Sequence, residues 1–196
     1  MRMLFTSLLS VSSIVLSGFA AQAKIPSANA AELTCHRIER LVILKKIDAA
    51  FLNGLKSISV EVLPPAAPGQ PAFKTTSLQE ADAGKQASSL VVTLDENGKP
   101  VGQPIVAAGI ASAKPTVWPG VDPVTILENS LHWVEQNAAK ADVAKFSSGL
   151  KSMSIEPGTM GAKSVGKVEI LSTDTTQTMN IYMGVDGSFI SYEVVN

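Results

Sequence analysis

The chain has 196 residues, with 16 basic and 17 acidic side chains and one cysteine. A formal net charge of −1, with no Lys/Arg cluster larger than Lys45-Lys46, excludes nucleic acid and anionic lipid as electrostatic partners. A lone cysteine excludes an internal disulfide, so packed apolar cores must supply the stability.

Residues 1–23 read as a secretory signal peptide. Arg2 gives a short positive n-region, Leu4 to Ala20 is an apolar run thinned by serines, and Ala21-Gln22-Ala23 offers the small residues that a signal peptidase reads. Cleavage after Ala23 leaves 15 basic against 17 acidic residues, a net charge near −2. Cys35 lies well beyond that point without lipobox residues, which argues against a lipid anchor. The mature protein is expected in the periplasm or secreted, with no stable membrane insertion. The absence of an N-x-[S/T] sequon favours the bacterial route.

Residues 24–31 are expected to be a short tail. Asn29 and Glu32 have capping-box spacing, so a helix should follow and run to about Lys45 or Lys46. Cys35, Ile38, Leu41, Val42 and Ala49 form one apolar stripe, and Leu33, Ile43, Leu44, Ile47 and Phe51 form another. Either the helix is covered on both sides, or it breaks near Ile47 and restarts with Asp48 as cap; the cap residue and Asn53-Gly54 beyond it favour the break. Ser57 to Val62 alternates polar and apolar residues, as a half-buried strand does. Pro64-Pro65 ends it, and a second strand is expected around Phe73. Ser89 to Asp95 and Pro100 to Ala107 flank Asn97-Gly98, which predicts a hairpin with a type I′ turn.

Residues 108–121, with Pro115, Trp118, Pro119 and Gly120, read as a linker. Asp122-Pro123 then opens a second helix with an N-cap and a first-turn proline. Its stripe is Ile126, Leu127, Leu131, Val134, Ala138 and Ala141, with helical order to about Lys140 and a restarted turn up to Phe146. Residues 151–156, 165–172, 177–184 and 188–195 read as strands, 157–163 as a loop, and Asp186-Gly187 as a hairpin turn.

Phe51-Leu-Asn-Gly-Leu-Lys-Ser-Ile-Ser-Val-Glu61 reappears as Phe146-Ser-Ser-Gly-Leu-Lys-Ser-Met-Ser-Ile-Glu156, with seven of eleven positions identical. A repeat at such a long interval indicates a duplicated subdomain rather than a solenoid. The expected fold class is α+β: two tandem units, residues 32–107 and 122–196, each a helix or helix-turn-helix packed on a meander of about four strands. That order of elements resembles cystatin-like and PepSY-like folds, and its tandem form resembles secreted β-lactamase inhibitor proteins. The likeness is one of element order and carries no motif residue.

One polar constellation follows the repeat. Glu32-x-x-x-His36-x-x-Glu39 matches Glu128-x-x-x-His132-x-x-Glu135, and these are the only two histidines. The spacing puts each trio on one helix face, opposite the apolar stripe. Histidine flanked by carboxylates can ligate a metal, and paired helices could bring the two sets together. A solvated, mildly stabilising face is the simpler reading, because one helix face rarely completes a site. Cys35 beside His36 makes no nucleophile–base pair, since adjacent helical side chains diverge; a buried small hydrophobe is expected instead. No G-x-S-x-G or phosphate-binding glycine loop is present.

The sequence therefore predicts an exported, non-catalytic binding protein of the cell envelope, acting on another envelope or secreted protein and needing no cofactor. A periplasmic metal-binding protein is the alternative. Trp118, and the backbone at Ser191 and Glu193 in the final strand, are the candidate partner contacts; Phe189, Ser191, Glu193 and Val195 are expected on one face of that strand and Ser188, Ile190, Tyr192 and Val194 on the other.

Overall fold

Two helices and four strands succeed one another, and then do so again. They are α1 (Ser27–Ile43), α2 (Ala50–Asn53), β1 (Leu55–Val62), β2 (Phe73–Gln79), β3 (Ser89–Leu94), β4 (Ile105–Ala107), α3 (Pro123–Gln136), α4 (Ala141–Ser148), β5 (Leu150–Met160), β6 (Lys163–Ser172), β7 (Thr178–Gly184) and β8 (Phe189–Val195). The structure, a computed structural model, describes residues 24–64, 67–79, 88–107, 117 and 121–196. The signal segment, Trp118 and most of the expected linker lie outside the described residues.

The eight strands form one antiparallel sheet in the order β4-β3-β2-β1-β5-β6-β7-β8. The fold class is α+β. At the middle of the sheet the two copies of the repeated segment pair with each other: Ser57 lies opposite Ser154, Ile58 opposite Met153 and Ser59 opposite Ser152. Each of these strands also shifts register at its start, between Leu55 and Ser57 in β1 and between Leu150 and Ser152 in β5.

α1 packs over β1, β2 and β5, α3 over β1 and β5 to β8, and the two helices pack on each other. The core lies between this layer and the sheet. Ile38 and Leu41 of α1, and Ile126, Leu127, Leu131 and Val134 of α3, meet Leu55, Ile58, Phe73, Leu90, Leu150, Met153, Val168, Ile170, Met179 and Ile181. Cys35 joins them with no exposed surface, as its place on the stripe requires. Burying each large side chain stabilises by about 1.5–3 kcal/mol. The buried Thr34 hydroxyl is satisfied twice: it donates to the Ala30 carbonyl (2.8 Å) and reaches Thr75 of β2 (2.8 Å).

Several local expectations are corrected. α1 starts at Ser27, inside the expected tail, because Ala28, Ala30 and Ala31 are small enough to pack without exposed surface; Pro26 stands at its N-cap. The capping box at Asn29 is not used. α1 stops at Ile43, where Lys45 turns left-handed (φ 54°) and the Lys46 and Lys45 amides bond back to Leu41 and Val42, a Schellman ending. The helix then restarts as foreseen, with Asp48 accepting from the Ala50 amide (2.7 Å). Asp122 caps α3 through the Val124 amide (2.9 Å). α3 ends at Gln136, earlier than expected, and α4 takes over at Ala141.

Residues 157–160 extend β5 rather than forming a loop. Pro157 is tolerated there because it lies beyond the three residues that pair with β1, on an open stretch of the strand. The Asn97-Gly98 turn is also different: Gly98 alone is left-handed (φ 81°), so the loop is a type I turn followed by a glycine bulge. Asp95 selects it by accepting the Asn97 and Lys99 amides, both at 2.8 Å. Gly187 (φ 79°) closes the second hairpin in the same way.

Candidate metal site

The two Glu–His–Glu trios meet where α1 and α3 cross. Donor atoms of Glu32, His36 and Glu128 lie within 4.8 Å of one another, and so do those of Glu32, His132 and Glu135. Five of the six residues singled out by sequence thus converge. Glu39 belongs to neither set, although it lies close enough to Glu128 to feel its charge.

This placement corrects the expectation of solvated faces opposite the apolar stripe. Because the helices pack on each other, the polar face of each turns toward its neighbour. The glutamates become partly buried while His36 and His132 stay exposed. His36 Nε2 contacts Glu128 Oε1 directly. One turn beyond His132, the Gln136 amide lies 2.7 Å from His132 Nε2 and fixes the rotation of that ring. Glu135 Oε1 is enclosed and accepts no hydrogen bond.

The electrostatics follow from the crowding of carboxylates. Desolvation, then Glu128 and Asp122, raise the Glu39 carboxyl above the ordinary range, with His36 opposing. Desolvation and Glu32 raise Glu135, with His132 opposing. The Cys35 thiol is pushed far up by burial and by the same glutamates, so it stays protonated and faces the core. It offers no sulfur ligand.

Bonds of about 2.1 Å from an ion to imidazole nitrogen or carboxylate oxygen place tetrahedral ligands about 3.4 Å apart. Each set, with its donors within 4.8 Å of one another, closes around one ion once its side chains readjust, His36 and Glu128 moving apart. The chemistry available is coordination of a first-row divalent ion by nitrogen and oxygen.

The partner-strand residues lie elsewhere. β8 is the end strand of the sheet, with no further strand beside it among the described residues. Glu193 is engaged by Tyr182 (2.6 Å) and Asn180 (3.1 Å) of β7, and Ser191 reaches Met160 Sδ (3.8 Å). What β8 offers is its outer backbone, rather than these side chains. The expected alternation breaks at Ile190, where Tyr182 pairs with Ser191 but Met183 pairs with Phe189. The extra residue brings Phe189 to the helix side, stacked on Trp133 (4.7 Å) beside Tyr192, with Lys140 Nζ 5.6 Å from the Trp133 and Tyr192 rings. Sequence periodicity missed this cluster because only the bulge assembles it.

Among the described residues no helix is long and apolar enough to cross a membrane. No family model matches the chain, and no curated protein matches it. Among solved structures, the full-length peroxisomal multifunctional enzyme type 2 from Drosophila melanogaster is similar at 11% identity, over 90% of this chain and 46% of that one, with a TM-score of 0.29. The chain thus spans less than half the length of that enzyme, and a likeness at this level carries no argument about activity.

Proposed function

We propose that this chain is an exported, non-catalytic binding protein built from two copies of one α+β unit, and that it binds a divalent transition-metal ion between α1 and α3. The observation that carries the metal reading is the convergence of Glu32, His36, Glu128, His132 and Glu135 across the helix pair. Duplication alone explains why each helix carries the trio. It does not explain why five of the six residues meet at the shared seam, where desolvation and then neighbouring carboxylates raise Glu39 and Glu135.

Two tandem units of cystatin-like element order are supported by matching positions. Ile58 and Met153 hold the same place in the repeated segment and stand opposite each other, as a twofold axis through the β1–β5 pair would require. Under that axis Glu32 exchanges with Glu128 and His36 with His132, so the His36–Glu128 contact has its mate in His132 and Glu32. Export rests on Arg2, the apolar run after it and Ala21-Gln22-Ala23.

The test is thermal unfolding of chelator-treated protein with and without zinc. At a hundredfold excess over Kd the ion adds about 2.7 kcal/mol, which raises Tm by roughly 5–10 °C in a chain of this size. The variant carrying His36→Gln and His132→Gln should fold and lose the shift. An unchanged wild-type Tm would overturn the metal reading.

A second reading is favoured by β8 itself. Its seven residues contain neither proline nor lysine, the usual guards of a sheet edge, and Phe189, Ile190 and Val195 are 40%, 38% and 37% exposed. Addition of a partner's extended segment along this strand is the protein-binding mode that the fold supports.

A further inference from the structure

We infer that the α1/α3 seam takes a pair of divalent transition-metal ions bridged by the Glu32 carboxylate. This deepens the metal-binding reading above and rests on it. Glu32 is common to both donor sets, whereas each histidine belongs to one set only. The three donors of each set account for one ion apiece, and the carboxylate of Glu32 is shared between them. The bridge would hold the ions about 3.5–4 Å apart, the usual spacing of two-metal sites.

Charge supports a second ion. Glu32, Glu128 and Glu135 lie within the donor sets, Glu39 stands beside Glu128, and Asp122 is near enough to raise Glu39. One divalent ion would leave part of this negative charge uncompensated in a partly desolvated space, and a second offsets more of it. Glu135 supplies an independent sign, because its Oε1 is enclosed with no hydrogen-bond partner from the protein. An ion between Glu32, His132 and Glu135 gives that oxygen a partner.

The donor inventory sets the class of ion. Two imidazoles and three carboxylates, with the only thiol sealed in the core, suit Mn²⁺, Fe²⁺, Co²⁺ or Zn²⁺ rather than soft Cu⁺. Helix bundles that hold carboxylate-bridged pairs draw two histidines and four glutamates from four helices. Here two helices supply both histidines and three glutamates, with Glu39 beside Glu128 but outside the donor sets.

The experiment uses the full mature chain, loaded with Mn²⁺ after chelator treatment. Bound metal is counted by native mass spectrometry, and coupling is read by electron paramagnetic resonance. The expected result is two ions per chain with the spectrum of an exchange-coupled pair. Glu135→Gln should retain one ion, held by Glu32, His36 and Glu128, with an uncoupled spectrum. Glu32→Gln should lose the coupling and retain at most one ion, with a circular dichroism spectrum like that of the wild type. One ion per wild-type chain, or two without coupling, overturns the bridged pair and leaves the metal-binding reading intact. No ion bound, when the chain is folded, overturns both.

Discussion

Ile58 and Met153 lie directly opposite each other at the centre of the sheet, and each is the other's counterpart in the repeated segment. Both are buried, at 0% and 1% exposure. The pair therefore joins the two halves of the sheet by backbone pairing and by packing beneath α1 and α3. Removing either side chain should leave a cavity that the paired strands cannot close. Ile58→Ala and Met153→Ala are each expected to cost about 2–5 kcal/mol, measured by urea denaturation. Because the two are cross-strand neighbours, the double variant should depart from additivity. A loss under 1 kcal/mol in both single variants would mean that β1–β5 pairing is not a core element.

Gly54 ends α2 for want of space rather than for a left-handed backbone. A Cβ there would stand 2.6 Å from Gln79 Nε2 and 2.7 Å from its Cγ. Gln79 is held in place because its amide donates to the Ala50 carbonyl (2.9 Å). Gly54→Ala is expected to cost about 1–3 kcal/mol. Combined with Gln79→Ala, most of that cost should disappear, since the clashing side chain is gone. An equal cost in both backgrounds would point to backbone strain instead.

Acid should weaken the fold through Glu96 and Glu193. The Gly69 amide donates to Glu96 Oε2 (2.9 Å), and the Tyr182 hydroxyl and Asn180 amide donate to Glu193 Oε1. These bonds hold both carboxyls below their ordinary value of 4.5. A folded-state pKa below the unfolded one stabilises fully above the unfolded value and is lost as pH falls through the folded one. Tm should therefore decline as pH drops below 4.5. The double variant Glu96→Gln/Glu193→Gln should start lower at neutral pH and decline less steeply. Parallel curves for variant and wild type would rule these groups out.

The open edge of β8 makes a separate prediction. Proline at Ser191 or Glu193, at whichever position has its N–H directed away from β7, removes a donor that the sheet does not use. The fold should survive, with Tm within a few degrees of the wild type. Capture of an extended apolar peptide should be lost. Unfolding of both proline variants would show that the outer edge is covered, and the strand-addition reading would fall.

Local sequence determined much of this protein. The stripes of α1 and α3, the caps at Asp48 and Asp122, the alternating strands and the glycine in each hairpin were legible because they depend on neighbours within a turn or a strand. So was the Glu–His–Glu pattern of six residues, though not which five of them converge. Tertiary structure alone decided which face of each helix met the other, and so whether the trios were solvated or gathered. It also decided that β1 would pair with β5, since strand order is not written in any single strand. The bulge at Ile190 that turns Phe189 onto Trp133 was likewise invisible to periodicity, as a bulge is fixed by register against β7. Local steric and hydrogen-bond preferences act over a few residues and can be read along the chain. The site depends on two helices packed over one continuous sheet, and that packing is set by long-range contacts that no short stretch contains.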